Sequence, residues 1–186
     1  MGVRPVFRRV LSASVVTVLV AAAALGRPQE AATKAVPAGP VETAFVQEAA
    51  LDGLAQLDIC YDALAQSHRR DVRAFALDTA NLRAPALKDL EQIASVREIT
   101  FPTNLVDYPA YIPERPWENE GTSFDVEFMR EQVRRHEQLV DAYAREAVDG
   151  VDPDVRSYAW ANLLQLRQRL TRARAILERI ESAPPY

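Results

Sequence analysis

The chain has 186 residues, 48% apolar and 26% charged, with 22 basic against 26 acidic side chains and a net charge of −4. That balance excludes a disordered chain, which lacks the apolar content to fold, and non-specific nucleic-acid binding, which needs positive charge clustered against phosphates. The single cysteine, Cys60, excludes an internal disulfide, so stability has to come from packing.

At the N-terminus, Arg4, Arg8 and Arg9 precede an uncharged apolar run from Val10 to Leu25. Ala24-Leu25-Gly26 then places small residues three and one before a cut. The run is shorter than the roughly 20 residues that span a bilayer comfortably, and this order of features is that of a signal peptide. Residues 1–26 are therefore expected to direct export and to be removed, with a retained membrane anchor as the alternative. Their removal takes away three Arg and no acid, which moves the charge to −7. Pro28, Pro37, Gly39 and Pro40 mark residues 27–40 as a flexible leader, and a single domain is expected over 41–183.

That domain reads as four helices, each with an apolar stripe at three- and four-residue spacing. The first, from about Val41 to Gln66, carries Phe45, Ala49, Gly53, Leu54, Leu57, Tyr61 and Leu64. The second, from about Arg69 to Val96, carries Val72, Phe75, Thr79, Leu82, Ala86, Leu90 and Ile93. The third, from Phe124 to Val148, carries Phe128, Met129, Val133, His136, Val140, Tyr143 and Ala147. The fourth, from Pro153 to about Ser182, carries Val155, Ala159, Leu163, Leu166, Leu170, Ala173, Leu177 and Ile180. Asp152 before Pro153 offers an N-cap and a preferred first helical residue. Ser67 is expected to cap the second helix, Thr122 or Ser123 the third, and Gly150 to end the third in the left-handed conformation. Pro85 is the misfit, since inside a helix it removes a donor and crowds the carbonyl of Asn81. A kink or break is expected over 81–85.

Two short turns make antiparallel pairs of the first two and the last two helices. Between the pairs, residues 97–121 are long enough to cross a helix of about 37 Å at roughly 3.3 Å per residue. Pro102, Pro109, Pro113 and Pro116 resist helix there, while Phe101, Tyr108, Tyr111 and Trp117 favour packing on the bundle. The fold class is all-α: an up-down four-helix bundle of ferritin-like type, with a long crossover between helices two and three.

Several short stretches resemble one bacterial family. Ala44 to Ala50 with Gly53-Leu54-Ala55, Val72 to Ala76, Phe101-Pro102-Thr103-Asn104-Leu105, Phe124-Asp125 with Phe128-Met129 and Val133 to Glu137, and Asp152 to Val155 with Leu163 to Arg167 follow its order and spacing. The chain is thereby similar, over about residues 43–180, to the "domain of unknown function 4142" family. The resemblance implies an exported ferritin-like bundle, often labelled an outer-membrane protein, with no established activity. It also implies a Glu in the first helix and a His in each of the other three. Here those positions are Gln56, Arg83, His136 and Arg169, so one implied ligand of four remains. A guanidinium cannot coordinate a cation and repels it, so no metal and no cofactor are expected.

Other chemistry finds little footing. Neither His68 nor His136 has a Glu three residues before it, as di-iron bundles require. Ser67 and His68 are adjacent, and adjacent residues do not face each other on a helix. Cys60 beside the buried stripe reads as a small core residue, and the arginines of the fourth helix read as a solvated face. If the helices pack as in the family, Gln56, Arg83, His136 and Arg169 converge, and two guanidiniums beside an imidazole suit a carboxylate or phosphate. The alternative is that both arginines pair with Asp58, Asp78 or Glu137, or reach out to water. The first expectation is a non-enzymatic envelope protein, periplasmic or secreted, that acts through its surface on another envelope protein. The second is a bundle that binds a small anion at this cluster. Contact with a membrane is expected only through an uncleaved N-terminal segment.

Overall fold

In the computed structural model of the chain, residues 37–113 and 122–182 are described. They form α1 (Pro40–Gln66), α2 (Arg70–Val96), α3 (Thr122–Asp149) and α4 (Pro153–Glu181), with a short 3-10 turn at Pro109–Tyr111. Among the described residues there is no strand, and no helix is long and apolar enough to cross a membrane. The expected signal segment, all of the leader before residue 37, and Pro116 and Trp117 of the crossover lie outside the described residues.

Each helix has 27 to 29 residues, or about 40 Å at 1.5 Å per residue. Two apolar clusters sit at opposite ends of the bundle. One gathers Val46 and Ala50 of α1, Leu90 of α2, Tyr143 of α3 and Val155 of α4. The other gathers Ile59 of α1, Phe75 of α2, Phe128 of α3 and Ile176 of α4. The start of α1 thus lies with the ends of α2 and α3 and the start of α4. Helix α1 packs on α2 and α3, and α4 on α3 and α2, so every neighbouring pair is antiparallel. The end of α2 and the start of α3 fall at opposite ends, so the connection between them has to run the length of the bundle. Its described part lies against α1, where Gln47 donates to the Thr100 carbonyl at 3.0 Å and Pro102 and Pro113 are buried.

The helix ends follow local chemistry, with three departures from expectation. Asp152 caps α4, its side chain accepting from the amides of Asp154 (2.9 Å) and Val155 (3.1 Å), while Arg97 at the end of α2 donates to Asp152 and Asp154. Ser67 does not cap α2. It ends α1, and its hydroxyl accepts from the Arg69 amide at 3.2 Å. Gly150 ends α3 without entering the left-handed region. A Cβ there would stand 2.2 Å from the Glu146 carboxylate, so the glycine provides room for a buried acid. The left-handed residue is Glu98 (φ 55°) after α2, where the Ile99 amide reaches back to the Ala94 carbonyl at 2.9 Å and the Ile99 side chain closes the core, as in a Schellman motif.

The break expected at Pro85 does not occur, for α2 runs through it. Pro85, Asn81 and Ala84 are exposed, so the carbonyl freed by the ring faces water. The cost of about 3 kcal/mol is offset by the flanking Ala86, Leu87 and Leu90, all buried. The stripes also need a rotation. Tyr61 is 59% exposed and Leu82 43%, whereas Arg83 is buried at 7%. The reason is the seam between α1 and α2, which is filled by small residues: Gly53, Ala55, Ala63, Ala76 and Ala80 are all buried. A Cβ on Gly53 would stand 2.6 Å from Leu87. This close approach turns both helices towards their alanine faces and carries Arg83 to the bundle axis.

Candidate functional site between alpha2, alpha3 and alpha4

Between the two apolar clusters lies a polar layer. Gln56 of α1 donates to the Gln132 side chain of α3 at 2.5 Å and to the Cys60 sulfur at 3.6 Å. One turn further along α3, His136 is wholly buried, its ring edge-on to Phe75 with centroids 5.9 Å apart. Its Nδ1 lies 2.7 Å from the Gln132 carbonyl. A carbonyl only accepts, so Nδ1 holds the proton and Nε2 is left as an acceptor. Nε2 is buried and has no partner, as are the Thr79 hydroxyl, the Gln56 carbonyl oxygen and the Gln132 amide nitrogen. Such groups each cost on the order of 1–3 kcal/mol when left unpaired. Burial first, then Arg83 and Arg169, push His136 from 6.5 down to about 4, so it is neutral at ordinary pH.

Arg83 sits in this layer without an ion pair to a carboxylate among the described residues. Among these residues its hydrogen bond is to the Tyr143 hydroxyl at 3.5 Å. Burial opposes its charge, but the oxygens of Tyr143, Tyr158 and Asp52 outweigh it and hold the guanidinium above its ordinary pKa. Asp52 itself forms an ion pair with Arg135 at 3.8 Å. Tyr158 donates to the Ala86 carbonyl at 3.1 Å, bracing α4 against α2. Arg169 approaches from α4 and donates to the Asp78 backbone carbonyl at 3.3 Å. Two of the three expected acids are engaged elsewhere: the Asp78 carboxylate holds Arg172 at 2.5 Å, and Glu137 holds Arg174 at 2.7 Å. Burial and then the charge of Arg83 lower Arg169 to about 10.

Arg83, His136, Arg169 and Thr79 line one small cavity of about 10 Å³, closed by Leu166 and Asn162, room for a single oxygen atom of water or ligand. Thr79, Leu82, Gln165 and Arg169 also line a groove of about 530 Å³ between α2 and α4, so the cavity and the groove adjoin across these side chains. Three of the four residues expected to converge do so. Gln56 lies in the same layer but stands behind, bonded to Gln132, and does not line the cavity. Sequence reasoning missed Gln132, Asn162 and Gln165. The placement of Gln132 one helical turn before His136 is a signal that could have found it. Cys60 is buried and its thiol is pushed up to about 12, chiefly by burial, so it stays protonated and unreactive. Among the described residues no group of three or more His, Cys, Asp or Glu side chains could hold a metal ion.

Two solved structures share the fold. A conserved hypothetical protein of Mycobacterium tuberculosis is 18% identical, with a TM-score of 0.62 over 78% of this chain and 94% of that one. A DUF305 fragment from Deinococcus radiodurans is 21% identical, with a TM-score of 0.61 over 77% of this chain and 99% of that one. At this identity the likeness is one of fold. A comparison with curated proteins finds no match. The family model for a domain of unknown function (DUF4142) matches residues 26–176, and the chain belongs to that family.

Proposed function

We propose that the protein is a non-enzymatic helical bundle, exported by its N-terminal segment, that binds a small oxyanion between α2, α3 and α4. One observation carries the reading. Arg83, buried and without a carboxylate, faces the same cavity as Arg169 and the unpartnered Nε2 of His136. An anion in the cavity would relieve the repulsion between the two arginines and give the unpartnered Nε2 of His136 a hydrogen bond. An anion oxygen beside Nε2 needs a proton between them, held either by the imidazole or by the ligand. A carboxylate therefore binds with uptake of a proton and phosphate binds as its dihydrogen form, so in both cases affinity rises as the pH falls from 7 to 5.

Isothermal titration with inorganic phosphate and with acetate tests the reading. Saturable one-to-one heat is expected, stronger at pH 5 than at pH 7 and lost in Arg83→Met and Arg169→Met variants that keep their helical circular dichroism. Absence of heat from the unaltered protein at either pH ends it.

A second reading, a module that acts through its surface on another envelope protein, is favoured by Trp160 and Leu164. They stand one turn apart on α4 and are 62% and 63% exposed. In that case a Trp160→Ala, Leu164→Ala variant loses partners captured by in-cell cross-linking, whereas Arg83→Met keeps them.

A further inference from the structure

The α2–α4 groove is far larger than any inorganic ion, and it has a definite polarity. At its inner side is the cavity with room for one oxygen, and Arg169 stands at the junction of the two. Along it run Phe75, whose ring forms the floor, and Leu82, which is large, apolar and 43% exposed on a helix whose other face is buried. At the rim the Arg172 guanidinium lies 5.9 Å above the Phe75 ring and pairs with Asp78 at 2.5 Å, so the rim adds little net charge. The two guanidiniums at the inner end, Arg83 and Arg169, thus have no ion pair among the described residues, and the exposed apolar surface of Leu82 lies beside them, over the buried ring of Phe75. The volume of about 530 Å³ lies in the range of sites that enclose an organic ligand.

Resting on the anion-site reading, we infer that the ligand is a single-chain amphiphilic carboxylate, with its head group at Arg83, Arg169 and His136 and its hydrocarbon chain along Phe75 and Leu82. One carboxylate oxygen enters the cavity beside His136 Nε2 and Arg83. The second meets Arg169 at the mouth, which points the chain into the groove. The head supplies the counter-charge that the bundle lacks, and the chain covers the side chain that α2 leaves open.

The experiment is titration of the full chain at pH 6 with acetate, butanoate, hexanoate and octanoate, with 1-octanol as the uncharged control. Affinity should rise with chain length, approaching about fourfold for each methylene fully buried, and octanoate should bind at least about tenfold more tightly than acetate. Octanol should bind at least about tenfold more weakly than octanoate, because it leaves Arg83 unpaired. Leu82→Ala, which removes apolar wall without adding a charge beside the arginines, should cut the ratio of octanoate to acetate affinity by at least about threefold. Equal affinities for acetate and octanoate overturn the amphiphile while the anion site stands. Octanol binding as well as octanoate overturns the role of the head group. No binding by any member of the series overturns both this inference and the anion site beneath it.

Discussion

The ends of the bundle and its middle are built on opposite principles. At the ends, Phe124 stacks on Phe128 with centroids 6.0 Å apart, and Phe45 meets Tyr143 edge-on at 5.1 Å, with aliphatic side chains from all four helices around them. In the middle, Gln56, Gln132, His136 and Arg83 occupy the same axis, with several polar atoms unpaired. Close-packed ends hold the helices in register, and that rigidity allows an unfavourable layer to persist between them. The ends thus hold the fold together, and the middle is where the proposed site lies.

The contrast is broken most severely from the ends. Phe128→Ala removes a ring that is wholly buried and should cost about 3–5 kcal/mol of stability, read from the midpoint of urea unfolding. A milder result would mean that the middle layer carries more of the fold than its unpaired atoms suggest.

Acid should act on the middle next. The pKa of His136 is depressed from 6.5 to about 4 in the folded protein, so the unfolded chain binds the proton more readily. The stability it contributes is complete above pH 6.5 and is lost as the pH falls towards 4, by about 3 kcal/mol in all. Buried acids such as Asp52 and Asp125, whose pKa values are raised chiefly by burial, work in the opposite direction. The measurement is therefore the difference between the unaltered protein and His136→Gln, followed from pH 7 to pH 4. A constant difference would remove the imidazole from the account.

Arg83→Met sharpens the comparison by making the middle resemble the ends. It replaces the buried guanidinium with an apolar chain of similar length, should abolish anion binding, and should change stability by no more than about 2 kcal/mol. A larger loss would show that the contacts of Arg83 with Tyr143, Tyr158 and Asp52 are part of what holds the fold. The smallest effect belongs to the helix ends. Asp152→Ala loses two capping bonds and frees Arg97, which should lower the unfolding midpoint by an amount equivalent to about 1 kcal/mol and leave the titrations unchanged.

Much of the fold was legible, and for identifiable reasons. Large apolar residues at helical spacing located all four helices, and Asp152-Pro153 located the start of α4 to the residue. The rotation of α1 and α2 was not legible from large side chains. Leu82 and Arg83 are neighbours, and both cannot face the axis. Hydrophobicity alone favours Leu82 there, whereas the family pattern favours Arg83. The seam of Gly53 and alanines decided between them, because small residues let two helices approach closely while registering only weakly as an apolar stripe. The continuity of α2 through Pro85 was not legible for a related reason, since whether a helix continues through a proline depends on what its exposed turn and its buried flanks meet.

The site divides along the same line. Composition and periodicity by themselves determined an all-helical chain in two hairpins, a crossover long enough to travel between opposite ends, and a histidine on a buried face. Only the tertiary structure decided that Arg83 points inward without a carboxylate, that Gln56 stands behind Gln132, and that a groove joins the cavity between α2 and α4. Periodicity is a property of one helix and is written along the chain. The pairing of a charge depends on which groups from other helices come within reach, and that is settled only when all four close on one another.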